Sequence, residues 1–437
     1  MKIVFGVHHF PPRYTGGAEW QTFRTARDLQ ARGHTVRVVC VEHVDRGPAS
    51  GVAWLDDLYE GVPVRRLSFN GRAAPDPRAF EYRNPWIGDH LRAWLAEERP
   101  DLFHLVSGYL LTGEALHAAH ELAIPSVVTL TDFWFLCPRI SLLQSNGRVS
   151  RLPIDPAQCA RCLGEERSVF RRLGRLLPGP MAAYWRLRRD LVGHIETRLG
   201  YLRRALNLAG KIISVSQFVR NLHIEAGVAP ERIVFLRQGL DLGHLTPEAL
   251  AKTPSDQLRV GYIGQIAELK GVHVLLEAAR QIADPRLAVR VYGNAGRFPG
   301  YTDRLRAIIG ADPRLQFAGE YRGAAELTRV LRDLDVIVVP SLWYENSPSV
   351  ILEAFAHRTP AVVSDFGGMA ELVRHEQDGL RFALGDAASL AGQLQRLLDE
   401  PDLLPRLRAG IGPVKTVAEE TDDLEVIYRE VRTQPSR

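Results

Sequence analysis

Residues 334–355 read LDVIVVPSLWYENSPSVILEAF, a run whose periodicity changes in the middle. Val336 to Val339 is continuously apolar and β-branched, as in a strand buried on both faces. After the polar break the pattern becomes helical. Ser347 fits a helix N-cap, and Pro348 fits the first helical position, where its missing N–H costs nothing. A helix starting at about 347–348, straight after a buried strand, is half of a parallel α/β sheet. The unpaired first-turn N–H groups and the positive end of the dipole make an anion site suited to phosphate. Glu345 stands just before the cap, and Glu353 roughly one and a half turns inside. One ligand with hydroxyls at both ends and negative charge between them matches that spacing. The competing reading is of two solvated carboxylates, since glutamate near a helix start simply favours the dipole.

Outward from this stretch the same alternation recurs. Upstream, LRVGYIG, LAVRVYGN and LQFAGE read as strands, with a helix in GVHVLLEAARQIA; downstream, PAVVSDFGG and GLRFAL continue the series. An earlier copy of the plan begins at the N-terminus, with a strand in KIVFGV, a helix in AEWQTFRTARDLQARG and a strand in TVRVVCV. It goes on through strand-like DLFHLV, PSVVTLT and KIISVS. The polar, proline-containing segment RQGLDLGHLTPEALAKTPSDQ separates the copies. The expected organisation is an N-terminal Rossmann-like domain over 1–240, a linker over 241–257 and a second Rossmann-like domain over 258–415. A C-terminal helix over 416–437 is expected to pack back on the first domain. Two such sheets facing across a cleft would present strand carboxyl ends and helix N-termini to one ligand.

Composition agrees with a globular protein: 437 residues, 46% hydrophobic, 24% charged, net charge +4. No run of eighteen apolar residues spans a bilayer, and MKIVFGVHHF has no signal-peptide pattern, so a cytoplasmic location is expected. Four cysteines do not make a disulfide framework. The first turn lacks G-x-G-x-x-G, which sets a dinucleotide dehydrogenase aside.

The decisive stretch, continued as ENSPSVILEAFAHRTPAVVSDFGGMAEL, resembles the retaining nucleotide-sugar glycosyltransferases of family 4, which have the GT-B fold. TGGAE, GHTVRVV, DFWFLCPR, SVSQFV, RQGLD, GQIAELKG and DFGGMAELV extend the resemblance over nearly the whole chain. It implies transfer of a hexose from a nucleotide sugar to an acceptor hydroxyl, in cell-surface polysaccharide, lipopolysaccharide or glycolipid synthesis. It also implies that Glu345 hydrogen-bonds the transferred sugar and Glu353 the ribose. The amides of Asn346, Ser347, Pro348, Ser349 and Val350 form the intervening turn, proline contributing no N–H, and Lys270 meets the leaving diphosphate. Gly16 and Gly17 match the first-domain loop that approaches the donor phosphates.

Two positions depart from that pattern. Gly264-Gln265 stands where the family usually has Gly-Arg, so one cation expected on the diphosphate is missing; the loss of such a contact costs about 1.5–3 kcal/mol. Thr131-Asp132 stands where the family often has His-Asp, which leaves Asp132 as a candidate catalytic residue or an orienter of loops. These departures support an alternative, a non-catalytic GT-B subunit or scaffold.

Cys137, Cys159 and Cys162 include a C-x-x-C spacing and are candidate ligands of a structural zinc, although such a site wants four ligands and free thiols suit a reducing cytosol. Related sequences often carry a further cysteine near Ser150. No cofactor is required for the transfer the resemblance implies. The cysteines open an insertion over about 137–205, and its part from 167 to 204 mixes arginine with leucine and aromatic residues. That mixture suits a peripheral contact with the inner face of a membrane and a saccharide or lipid-linked acceptor. No nucleic-acid motif accompanies the charge.

Overall fold

Strands buried on both faces need neighbours on both edges and helices above and below, and the chain satisfies this twice. The computed structural model describes residues 1–433, and residues 434–437 of the expected C-terminal helix lie outside the described residues. It divides into two compact units, Met1–Gly239 with the segment from Val417, and Leu240–Thr416. The segment 241–257, expected as a linker, belongs to the second unit.

The first unit holds an eight-stranded sheet in the order β3-β4-β2-β1-β5-β6-β7-β8. Its strands are β1 Lys2–Val7, β2 Thr35–His43, β3 Ala53–Tyr59, β4 Val62–Ser68, β5 Leu102–Val106, β6 Ser126–Leu130, β7 Lys211–Ser214 and β8 Ile233–Phe235. All pair in parallel except β3, which runs antiparallel to β4 at the edge. The β3–β4 hairpin turns through Glu60 and Gly61, both with positive φ (44° and 83°), the backbone a two-residue hairpin loop demands. The strand order reverses between β1 and β5, so the loops after them splay apart at their carboxyl ends.

The helix Val417–Thr433 completes this unit by packing on the helix Gly17–Ala31 and adding Leu424, Ile427, Tyr428 and Val431 to its core. Polar contacts fix it as well. Tyr428 Oη lies 2.6 Å from His104 Nδ1, and Glu420 accepts from Gln21 Nε2 and from the Gly239 N–H, each at 2.7 Å.

The insertion between β6 and β7 forms the helices Pro156–Gly164, Ser168–Leu176, Pro178–Leu187 and Arg189–Leu206. Trp185 and Arg198 are buried within it, and Arg198 donates to the Trp134 carbonyl at 2.5 Å, anchoring the insertion to the loop after β6.

The second unit holds a six-stranded sheet in the order β11-β10-β9-β12-β13-β14, all parallel. The strands are β9 Leu258–Ile263, β10 Leu287–Tyr292, β11 Leu315–Gly319, β12 Val336–Val339, β13 Ala361–Ser364 and β14 Gly379–Phe382. Here the order reverses between β9 and β12, which makes the loops after these central strands neighbours. Among the described residues no helix is long and apolar enough to cross a membrane.

Candidate functional site

The loops after β9 and β12 carry Lys270 and Glu345. Gly271 brings the loops together: its φ is +69°, and a Cβ there would lie 2.0 Å from the Pro340 carbonyl oxygen, so only glycine fits. The Leu342 N–H donates to the Leu269 carbonyl at 2.9 Å beside it. As a result Lys270 Nζ reaches Glu345 Oε1 at 2.6 Å. The same oxygen accepts from Ser341 Oγ at 2.7 Å and Trp343 Nε1 at 2.8 Å, and the ammonium lies 5.1 Å from the centre of the Trp343 ring. Glu345 is buried, and three donors on one oxygen hold its carboxylate in a fixed direction. Tyr262, buried beneath, has its phenol pKa raised well above the usual value by burial and by the Glu345 charge.

The decisive turn departs from expectation by one residue. The helix runs Ser349–Ala356, so Pro348 is the N-cap, with φ −64° and ψ 114°, and Ser349 the first helical residue; Ser347 is not the cap. The extended ψ of Pro348 carries the chain into the helix one position later than the serine pattern implies. Glu353 consequently sits just over one turn inside. It is half-buried, and its charge, after burial, pushes the Tyr321 phenol up to about 12. Asn346, Ser347, Pro348, Ser349 and Val350 are all half-buried, and Asn346 Oδ1 is a buried oxygen with no partner among the described residues. Gly368 pins this turn from behind: its N–H donates to the Glu345 carbonyl at 2.9 Å, and a Cβ would meet the Asn346 carbonyl oxygen at 1.9 Å. Gln265, at the carboxyl end of β9, has its backbone carbonyl accepting from Tyr262 Oη at 2.6 Å.

In the first unit Gly16 is the N-cap of the helix Gly17–Ala31, and the space that a Gly17 Cβ would enter is open. Beside Gly16, buried Glu19 pairs with His8 Nε2 at 3.3 Å; burial opposes the Glu19 charge, but the His8 contact prevails and lowers its pKa. Asp132 follows β6, where Oδ2 accepts from Ser107 Oγ at 2.5 Å and Oδ1 from the Trp134 N–H at 2.8 Å. The Oδ2 bond ties the loop after β6 to the loop after β5, and the Oδ1 bond fixes the turn within the loop after β6. Thr131 Oγ1 is buried without a partner among the described residues. The loop after β5 holds Ser107, Leu110 and Thr112 at positive φ (68°, 63° and 60°), a local concentration of backbone strain at a switch point. The candidates therefore fall into two groups, Gly16, Gly17 and Asp132 in the first unit and the remainder of the donor-site candidates in the second.

The three cysteines gather in the insertion. Cys162 Sγ accepts from Arg139 Nη1 at 3.3 Å and the Ser145 N–H at 3.2 Å, and burial pushes the Cys159 thiol up to about 12. Asp155 caps the helix Pro156–Gly164 through the Ala157 N–H. Among the described residues no three or more His, Cys, Asp or Glu side chains are grouped as metal ligands.

Ser341, Trp343, Tyr262 and Tyr321 went unnoticed in the sequence. Ser341 and Trp343 lie at i−4 and i−2 from Glu345, close enough for the loop itself to have suggested them; the tyrosines come from β9 and the loop after β11, which only the sheet order brings near.

Comparison with known proteins places these loops in context. Residues 15–244 match the model of "Glycosyltransferase Family 4", and residues 257–400 match "Glycosyl transferases group 1". The chain is 25% identical over 413 residues to the glycogen synthase of Mycobacterium tuberculosis, covering 92% of this chain and 87% of that one. It is 31% identical to the putative colanic acid biosynthesis glycosyltransferase WcaL of Escherichia coli, over 41% of this chain and 46% of the relative, less than half of that protein's length. The structure of Anabaena Alr3699/HepE in complex with UDP-glucose superposes with a TM-score of 0.63 at 20% identity, over 98% of this chain and 100% of that one. The architecture is that of the GT-B enzymes.

Proposed function

The chain belongs to Glycosyltransferase Family 4, and from that premise we propose that it is a retaining hexosyltransferase that takes a hexose from a nucleotide-sugar donor. The observation that carries the reading is the buried Glu345 carboxylate, held by Lys270, Ser341 and Trp343 immediately before the Ser349–Ala356 turn. In this reading Glu345 accepts a hydroxyl of the transferred sugar, and Glu353 accepts from the ribose. Lys270 moves its charge to the diphosphate, assisted by the first-turn N–H groups of the helix. The bond from the anomeric carbon to the phosphate oxygen breaks with its electron pair leaving on the diphosphate. The acceptor oxygen bonds to the same face of that carbon, and its proton passes to a phosphate oxygen. No metal or cofactor is needed for this step.

The test is hexose transfer from a panel of nucleotide sugars, with Glu353→Ala as control and the anomeric configuration of the product read by NMR. Transfer with retention that vanishes in the variant supports the reading. Inversion overturns retention, and absence of binding by any donor favours the scaffold alternative.

The acceptor is proposed to be a saccharide or a lipid-linked acceptor, for cell-surface polysaccharide, lipopolysaccharide or glycolipid synthesis. Residues 167–189 contain seven arginines and no Asp or Glu. On the helix Ser168–Leu176, Val169, Leu173 and Leu176 lie at i, i+4 and i+7 and are exposed, and Leu187 at the end of the next helix is 76% exposed. An exposed apolar stripe beside a net positive face is complementary to an anionic bilayer on the cytoplasmic side. Sedimentation with vesicles containing phosphatidylglycerol, but not with phosphatidylcholine alone, is expected, with loss in Leu173→Asp/Leu176→Asp; binding by the variant equal to wild type overturns the assignment.

A further inference from the structure

Gln265 supplies no charge where the loop after β9 meets the loop after β10, but it does not stand alone. With its amide oriented to satisfy both groups, the Gln265 oxygen accepts from Arg297 Nη1 at 3.1 Å and Nε at 3.0 Å. The contact is built from both sides. The backbone carbonyl of Gln265 is fixed by Tyr262 Oη and the Ala267 N–H. Arg297 rides on a loop in which Asn294 Oδ1 accepts from the Gly296 N–H at 2.8 Å and Thr302 Oγ1 donates to the Ala295 carbonyl at 2.7 Å. Gly293 lets this loop approach the first, since a Cβ there would lie 2.1 Å from the Gly264 carbonyl oxygen.

Among the described residues the charge of Arg297 has no carboxylate against it, as with Arg290, Arg332 and Arg358, which donate to backbone carbonyls. In the same unit Arg259, Arg286, Arg314, Arg374 and Arg396 each hold a carboxylate. Among the described residues Arg297 holds none; its partners are a neutral amide and the Phe298 ring, whose centre lies 5.8 Å from the guanidinium carbon, and the residue is exposed. Two of its five N–H groups face the amide, which leaves three donors and a full positive charge. Gln265 is thus held at two points, its side-chain oxygen by Arg297 and its backbone carbonyl by Tyr262 Oη, on the same loop that carries Lys270.

We propose that Arg297, steered by the Gln265 amide, is a second diphosphate-binding cation acting with Lys270. Gln265 is its positioning residue: the guanidinium reaches the loop after β9 from a different strand. This rests on the nucleotide-sugar reading above. It makes Gln265 a relocation of the charge to Arg297 and not its loss, and it weakens the case for a non-catalytic protein.

The experiment is calorimetric titration with UDP, ADP and GDP and with the corresponding monophosphates. Wild type is expected to prefer the diphosphate of one base. In Arg297→Met that preference over the monophosphate should shrink about tenfold, the loss of one charge-assisted contact, with monophosphate affinity nearly unchanged. Gln265→Arg combined with Arg297→Met should restore it. Both positions lie at the surface or half-buried, so folding is retained and thermal unfolding verifies it. Two results overturn the proposal: an unchanged preference in Arg297→Met while Lys270→Met loses it, or a failure of the double variant to recover. If wild type binds none of the nucleotides, the nucleotide-sugar reading itself falls, and this inference with it.

Discussion

Replacing Gly271 by alanine attacks the closest approach between the loops that carry Lys270 and Glu345. Two costs add. The residue has φ +69°, and a left-handed conformation costs an L-residue about 1–2 kcal/mol. The new methyl would also lie 2.0 Å from the Pro340 carbonyl oxygen, so the loop after β12 must retreat by roughly 1 Å to reach a tolerable contact. That retreat stretches the Leu342-to-Leu269 hydrogen bond, worth about 1 kcal/mol. The sum, about 2–3 kcal/mol, lowers the melting temperature of the second unit by roughly 4–12 °C. The same shift draws Glu345 away from Lys270, and a misplacement of about 1 Å reduces transfer on the order of a hundredfold. Urea unfolding measures the first effect and initial rates with the identified donor the second. Gly300→Ala is the control, because a Cβ there meets nothing within 4 Å. If Gly271→Ala unfolds at the wild-type midpoint, the loop contact does not constrain the site and the reasoning fails.

Other outcomes follow from the same geometry. Trp343→Phe removes one of three donors to Glu345 Oε1 and is expected to reduce transfer about tenfold with little change in stability; Glu345→Gln, which removes the charge, reduces it far more, and steady-state kinetics separates the two. Burial lowers the His104 pKa to about 3 and the His223 pKa to about 4, below the unfolded value near 6.5. Below pH 6.5 the unfolded chain takes up protons that the folded one refuses, so stability, complete above that pH, falls by about 1.4 kcal/mol per pH unit for each ring. Urea midpoints at pH 7.5 and 5.5 check the slope, and imidazole 15N shifts should report both rings neutral at pH 5.5. Tyr428→Phe leaves the buried His104 Nδ1 without its partner and should destabilise the first unit by about 1–3 kcal/mol in denaturant unfolding, with the second unit unaffected.

The central strands were legible because burial on both faces writes unbroken apolar runs, as in Val336 to Val339. The β3–β4 hairpin was missed for the opposite reason: β3 is an exposed edge, with Trp54, Leu55 and Leu58 more than half exposed, and its turn is Glu-Gly in place of the more familiar Asn-Gly. The helix start was misplaced by one residue because serine and proline each fit two adjacent positions, and only the backbone angle of Pro348 decides. The contact between Gln265 and Arg297, thirty-two positions on, was not legible because only the sheet order brings the loop after β10 to the loop after β9. Asp132 read as a catalytic candidate or an orienter of loops from its motif, and its bonds to Ser107 Oγ and the Trp134 N–H, which the sequence does not show, add an orienting contact without deciding between the two.

The helix Val417–Thr433 has a consequence for how the chain is made. It closes the core of the first unit, yet it is translated after the whole of the second. At a ribosomal pace the N-terminal sheet waits about ten to thirty seconds for Leu424, Ile427 and Tyr428, with its apolar seat for them bare and His104 without its phenol partner. The second unit, contiguous in sequence, has no such delay. Synthesis therefore lets the later-made unit complete its core before the earlier-made one can.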